Sequence, residues 1–183
     1  MNLFNQLILI RTLYDQYNEA IEIAKQAENL YKQCLSIEPY RLQELIHIDL
    51  TTQNIDRRDE FEQIYTYTLF YLAQIYAKLD RKDQSANYCR LTLEHQLAIF
   101  HHDYNNNNFD PLDWATNCAT LSQYYMTIHD YATSRHCLMC ADKMLENVKP
   151  TDSENGNDKL AERKASFKRC WVKYAVNLLS KID

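Results

Sequence analysis

Apolar positions recur at three- and four-residue intervals along most of the chain, the pattern of helices that bury one face. The breaks in that pattern fall at the few punctuating residues and predict about eight helices. The first two cover residues 2–16 and 18–36, the second ending before Pro39. A third, 40–52, carries Leu42, Leu45, Ile46 and Leu50 on one side. Asp56, with Asp59 behind it, reads as the N-cap of a long helix to residue 79. A fifth helix, 82–102, ends in the tract Asn105–Asn108. Asp110-Pro111 restarts the chain as a strong helix opening, because Asp caps well and Pro at the first helical position loses no hydrogen bond. Residues 130–148 form the seventh helix, and the polar segment 150–158 reads as a linker. The last helix shows Leu160, Phe167, Trp171, Tyr174, Leu178 and Ile182 as one stripe, with Trp171 expected to cap the third unit as a hydrophobic plug.

Internal repetition turns these helices into an architecture. Tetratricopeptide repeats pair two helices, with large residues on helix A and small residues on helix B where backbones approach closely. Leu72, Ala73 and Tyr76 followed by Ser85, Cys89 and Thr92 fit that pattern without a gap. Leu121, Ser122 and Tyr125 followed by Ser134, Leu138 and Ala141 fit at the same offsets. Leu7 and Ile8 with Ala20, Ala24 and Ala27 make a looser first unit, in which Arg11 replaces the usual aromatic. The expected fold is therefore an all-α, irregular TPR-like helical-hairpin solenoid of about eight antiparallel helices. Residues 1–183 form a single domain in this reading, and the last helix is helix A of a fourth unit. A helix left open in that way invites self-association.

Composition narrows what the solenoid could do. The chain has 183 residues with one glycine and three prolines, so phosphate loops, nucleophile elbows and β-hairpin folds lack the turn residues they require. A net charge of −5 offers no field for a polyanion, which argues against nucleic acid as a partner. Charge is unevenly placed: residues 158–183 carry 7 Lys and Arg against 3 Asp and Glu, whereas the preceding residues carry 13 against 22. The apolar run Leu7–Ile10 is too short to span a membrane, and no secretory signal opens the chain. A cytoplasmic protein is expected. Six cysteines lying within helical patterns suit reduced thiols better than disulfides.

Candidate chemistry is sparse. Cys137-Leu-Met-Cys140 after His136 resembles half a zinc site, but no second pair stands at the required spacing, and buried structural thiols are the better reading. No catalytic, cofactor or metal residue is assigned, and no enzyme is expected. Of the basic residues Arg163, Lys164, Lys168, Arg169 and Lys173 on the last helix, a solvated face is the simpler account. The repeat register itself is more informative, because the sixth and ninth positions of helix A face the concave groove. Those positions hold Tyr71 and Gln74 in the second unit, and Thr120 and Gln123 in the third. The competing account of each Gln is a hydrogen bond to a neighbouring helix. The Lys and Asn of a chaperone-type carboxylate clamp are not found around them.

Three stretches resemble the KIF-binding protein family: Phe70-Tyr-Leu-Ala-Gln-Ile-Tyr76 with Asn87-Tyr-Cys89, Asp113-Trp-Ala115 with Ala119–Gln123 and Arg135–Leu138, and Arg169-Cys-Trp-Val-Lys-Tyr174. The resemblance implies a non-enzymatic protein whose curved solenoid grips kinesin motor domains and keeps them off microtubules. It also implies that Tyr71, Gln74, Gln96, Thr120 and Gln123 are the groove positions that touch the motor, Gln96 on this ground alone. Family members are considerably longer than this chain. The alternative reading is a general TPR-like adaptor for another cytoskeletal or trafficking protein, using the same wall.

Overall fold

Among the described residues three tight reversals join consecutive helices, and all three use one backbone device. The computed structural model describes residues 3–36, 54–102, 109–146, 148 and 154–181. Within it, Asp15, Asp80 and His129 have left-handed backbones, with φ of 57°, 56° and 63°. The amide of each bonds back into the helix it ends: Asp15 to Thr12 O at 3.2 Å, Asp80 to Ala77 O at 3.1 Å, His129 to Met126 O at 3.1 Å. The following amide reaches further back, Gln16 to Arg11 O at 2.8 Å, Arg81 to Tyr76 O at 2.9 Å and Asp130 to Tyr125 O at 2.9 Å. This double bond satisfies carbonyls that a helix end leaves open. The same following residue then starts the next helix, since Gln16, Arg81 and Asp130 carbonyls accept from Ala20, Ser85 and Ser134 at 3.0, 3.0 and 3.1 Å. A reversal this short makes consecutive helices antiparallel neighbours.

Seven helices result among the described residues: α1 (Leu3–Leu13), α2 (Tyr17–Ser36), α3 (Asn54–Lys78), α4 (Lys82–His102), α5 (Pro111–Thr127), α6 (Tyr131–Glu146) and α7 (Glu154–Leu179). The fold is all-α and built of helical hairpins, as the periodicity implied. The helix expected over 40–52, and Ile182, lie outside the described residues. Two boundaries move. Asp56 does not cap α3, which has already begun at Asn54. The expected linker over 150–158 is too long, because Glu154 to Asp158, Gly156 included, is the first turn of α7; a single Gly lowers helix propensity without breaking a long amphipathic helix. Asp110 caps α5 as expected, accepting from the amides of Leu112 at 2.8 Å and Asp113 at 3.4 Å with Pro111 next in line. Asp130 plays the same part for α6, and hydrogen bonds from Thr133 hold its carboxyl below the ordinary value.

The chain divides into two compact units, residues 1–95 and 96–183, with the boundary inside α4. In the first, α1, α2, α3 and the start of α4 bury Ile8, Ala20, Ala24, Leu69, Leu72, Ala73, Ile75, Tyr76 and Tyr88 against one another. Polar groups share this core. Asn5 and Thr68 are both 1% exposed and join α1 to α3. The Asn5 amide donates to Ile64 O at 3.3 Å, and the Thr68 hydroxyl lies 3.1 Å from Asn5 Oδ1. Glu28, 4% exposed, accepts from Lys25 at 3.0 Å, Lys32 at 2.8 Å and the Tyr88 hydroxyl at 3.1 Å. Burial pulls its carboxyl upward, but the two lysines outweigh that and hold it below the usual carboxylate value. Tyr31 stacks on Tyr65 at 3.6 Å and bonds Glu62, which also meets His95 Nε2 at 2.8 Å. Thr66 Oγ1 lies 2.8 Å from His95 Nδ1. Burial lowers the His95 pKa from its ordinary value despite the pull of Glu62, so the ring is neutral at pH 7.

The second unit stacks three helices. The α5–α6 hairpin buries Trp114, Ala115, Cys118, Leu121, Ser122, Cys137, Leu138 and Ala141. Contacts between α5 and α7 run in the same order along both, Asp113 to Arg163 and Gln123 to Cys170, so these helices are parallel. Contacts between α6 and α7 run in opposite order, Tyr131 to Asn177 and Asp142 to Trp171. That is the A–B–A arrangement expected if α7 opens a further repeat. Leu160, Phe167, Cys170 and Tyr174 are buried. Trp171 is a correction: it is half-buried, with its Nε1 donating to Asp142 at 2.5 Å, and so flanks the stack rather than plugging it.

The repeats differ at one equivalent position, the first small residue of helix B. Ala20 stands there in the first hairpin, Ser85 in the second and Ser134 in the third. Ser85 Oγ donates to Ala73 O at 2.9 Å, whereas Ser134 Oγ, fully buried, has no partner among the described residues. Ser134→Ala is therefore expected to stabilise the chain by up to about 1 kcal/mol and Ser85→Ala to destabilise it by about 1 kcal/mol. Urea unfolding of the two variants checks the opposite signs. A second expectation concerns pH. Because the folded His95 pKa lies below the ordinary 6.5, the unfolded chain takes its proton first, and stability falls as pH drops through the region below that value. Glu28 adds a loss only at lower pH, where its depressed carboxyl protonates. Thermal melts between pH 7 and pH 5 (~2 units, spanning the ordinary His range) should show a shallower decline for His95→Gln than for the parent.

Candidate partner-binding site

Register fixes which side chains look away from each core. On α3, Leu69, Leu72, Ile75 and Tyr76 point inward, while Gln74 is exposed and Tyr71 is half-buried against the core. Beside them stand Tyr67, 53% exposed, and Phe70, 39% exposed, with the Phe70 and Tyr71 rings 6.1 Å apart. The spacing 67, 70, 71, 74 is one helix face, so this unit presents three aromatic rings around an amide. Aromatic rings on rigid helices give contact area at small entropic cost. Tyr71 and Gln74 are the positions expected from the repeat register, and Tyr67 and Phe70, which share their face, were not among those expected. The helical spacing was the available signal.

The other expected positions belong to the second unit. Gln96 on α4 is half-buried, and Thr120 and Gln123 on α5 are exposed. Thr120 turns its hydroxyl back to Thr116 O at 3.1 Å. The Gln123 amide lies 3.6 Å from Cys170 Sγ, so the helix-to-helix account given for this residue applies, weakly because sulfur is a poor acceptor. Asp113, Thr116, Thr120 and Gln123 form the α5 stripe that looks toward α7. Arg163 bonds the Thr116 hydroxyl and pairs with Asp113 at 3.4 Å. The five expected residues thus form two sets, Tyr71 and Gln74 in the first unit, Gln96, Thr120 and Gln123 in the second.

The Cys137–Cys140 pair splits between faces. Cys137 is buried, while Cys140 Sγ lies 3.5 Å from His136 Nε2 on the outer side of α6. Among the described residues no group of three or more His, Cys, Asp or Glu could hold a metal ion. All six cysteines are free thiols. Burial pushes the Cys89 and Cys140 thiols upward, the reverse of what activates a nucleophile. Among the described residues no helix is long and apolar enough to cross a membrane. What the surface offers is area, aromatic rings and hydrogen-bonding amides.

Comparison with known proteins gives these faces a context. The profile of the family described as KIF-1 binding protein C terminal matches residues 112–183. The KIF-binding protein of Xenopus tropicalis is 41% identical over 134 residues, 68% of this chain and 21% of that protein. That of Gallus gallus is 34% identical over 187 residues, 96% of this chain and 30% of that protein. The chain therefore spans less than a third of the length of these curated relatives. The KIFBP core, solved by cryo-electron microscopy, matches with a TM-score of 0.65 at 28% identity, over 98% of this chain and 56% of that one. Sequence, family profile and fold agree, and the chain belongs to the KIF-binding protein family.

Proposed function

We propose that this chain is a non-enzymatic binder of kinesin motor domains that keeps them off microtubules. The observation that carries the reading is the 34% identity to a KIF-binding protein across 96% of the chain. The α3 face supports it, because Tyr67, Phe70, Tyr71 and Gln74 combine aromatic area with a hydrogen-bonding amide on a helix whose other side is fixed in a core. Thr120 and Gln123 on α5, with Gln96 on α4, supply polar complementarity in the second unit. The mechanism is steric: a motor held against these helices cannot present the same surface to a microtubule. The protein would act in the cytoplasm, where microtubules lie and thiols stay reduced.

Co-sedimentation with microtubules and a panel of kinesin motor domains tests the reading. The parent chain is expected to shift at least one motor from the microtubule pellet to the supernatant. Phe70→Ser with Gln74→Ala should return that motor to the pellet while circular dichroism stays helical. Release by parent and variant alike would remove the α3 face from the mechanism. No release of any motor would leave the relationship as one of ancestry.

A further inference from the structure

Helix α7 is amphipathic twice. Its inner side buries Leu160, Phe167, Cys170 and Tyr174 against α5 and α6. On the opposite side Ala161, Ala165, Val172, Val176 and Leu179 are exposed, the last three by 62%, 60% and 63%. At helical geometry these five lie within a sector of about 60° and form a stripe about 27 Å long. Cations border it on both edges, Lys164 and Lys168 on one, Arg169 and Lys173 on the other, all four exposed. Arg163, which faces α5, is paired with Asp113, but none of these four makes an ion pair among the described residues. Glu162 is the one acid between residues 160 and 181.

We propose that the outer face of α7 docks an amphipathic helix of a partner protein whose apolar stripe is rimmed by Asp and Glu. Three features select that occupant. The stripe is built from two Ala, two Val and a terminal Leu, which let a second helix approach to about 8–10 Å, and contains no Trp or Phe of the kind that anchors a helix in a lipid interface. Its rim is basic on both edges between residues 164 and 173, with Glu162 the one acid at its N-terminal end, so a helix with acidic flanks meets opposite charge over the middle of the stripe, whichever way it runs. Two copies of α7 laid face to face would oppose Lys to Lys instead, which disfavours self-pairing through this face. The proposal is independent of motor binding, since Lys164, Lys168, Val172 and Val176 are not among the α3, α4 and α5 positions assigned to it.

The test uses the whole chain and a designed peptide of about 20 residues with a Leu-Ala stripe flanked by Glu. A second peptide carries Lys in place of each Glu. Fluorescence anisotropy is expected to show the Glu-flanked peptide binding about tenfold tighter or more, with affinity falling as salt rises. Charge reversal at Lys164, Lys168, Arg169 and Lys173 to Glu should invert the preference, and Val172→Asp with Val176→Asp should abolish binding of both peptides. These positions are exposed, so far-UV circular dichroism and melting temperature should match the parent. Equal binding of the two peptides, or none, would overturn the proposal. So would binding to phosphatidylserine vesicles that the charge-reversal variant loses while peptide discrimination is absent. A dimer in sedimentation velocity that the Val172→Asp, Val176→Asp variant abolishes would overturn it in favour of self-pairing.

Discussion

The three described hairpins all depend on reversing a helix in three residues without glycine. The left-handed residue at Asp15, Asp80 and His129 costs an L-amino acid about 1–2 kcal/mol that glycine would not incur. The cost is offset because each reversal bonds two open carbonyls and lets the very next residue open a new helix. Asp and His are also among the residues that tolerate this conformation best. With the reversal fixed, the first turn of the second helix must pass close to the first, and only a small side chain fits there. Ala20, Ser85 and Ser134 are that side chain, five residues beyond the turn in every case.

The two units solve the problem of burial differently once their hairpins are set. The second relies on small and apolar residues, with Leu138 and Ala141 fully buried beneath α5. The first inserts ionisable groups between helices, Glu28 under two lysines and a tyrosine, Glu62 against His95 and Tyr31. Such groups are costly to bury unless every partner is present, so they favour one arrangement of α2, α3 and α4 over slipped alternatives. Acid sensitivity is the consequence, because the folded arrangement disfavours protonation of both His95 and Glu28.

Much of this was legible in the order of residues. Leu7, Leu72 and Leu121, aligned by repeat pattern alone, each precede a left-handed residue by eight positions, so the register read from side-chain size is the register of the backbone turns. Asp110-Pro111 was equally readable, because a cap acts through neighbours in sequence. What periodicity could not show were interactions between distant helices. Nothing in the local sequence ties Glu62 to His95 or Asn5 to Thr68, and the Trp171 contact with Asp142 turned an expected plug into a flank. At the candidate site, the pattern gave Tyr71 and Gln74 by analogy between repeats. Tyr67 and Phe70 have no counterpart in the third unit, where Thr116 and Ala119 occupy the same places, so repetition hid them.

That asymmetry gives the two units surfaces of different chemistry. The α5 stripe is small and polar and partly engaged with α7 through Arg163 and Gln123. The α3 face is aromatic and open. On α3 an open aromatic face favours a contact that offers an apolar pocket, and on α5 a small polar stripe favours one that pairs its hydrogen-bonding groups. The outer face of α7 works by a third chemistry, charge around a narrow apolar seam. Its cations lie on the side of α7 away from α5 and α6, so a helix held there draws on none of the α5 stripe.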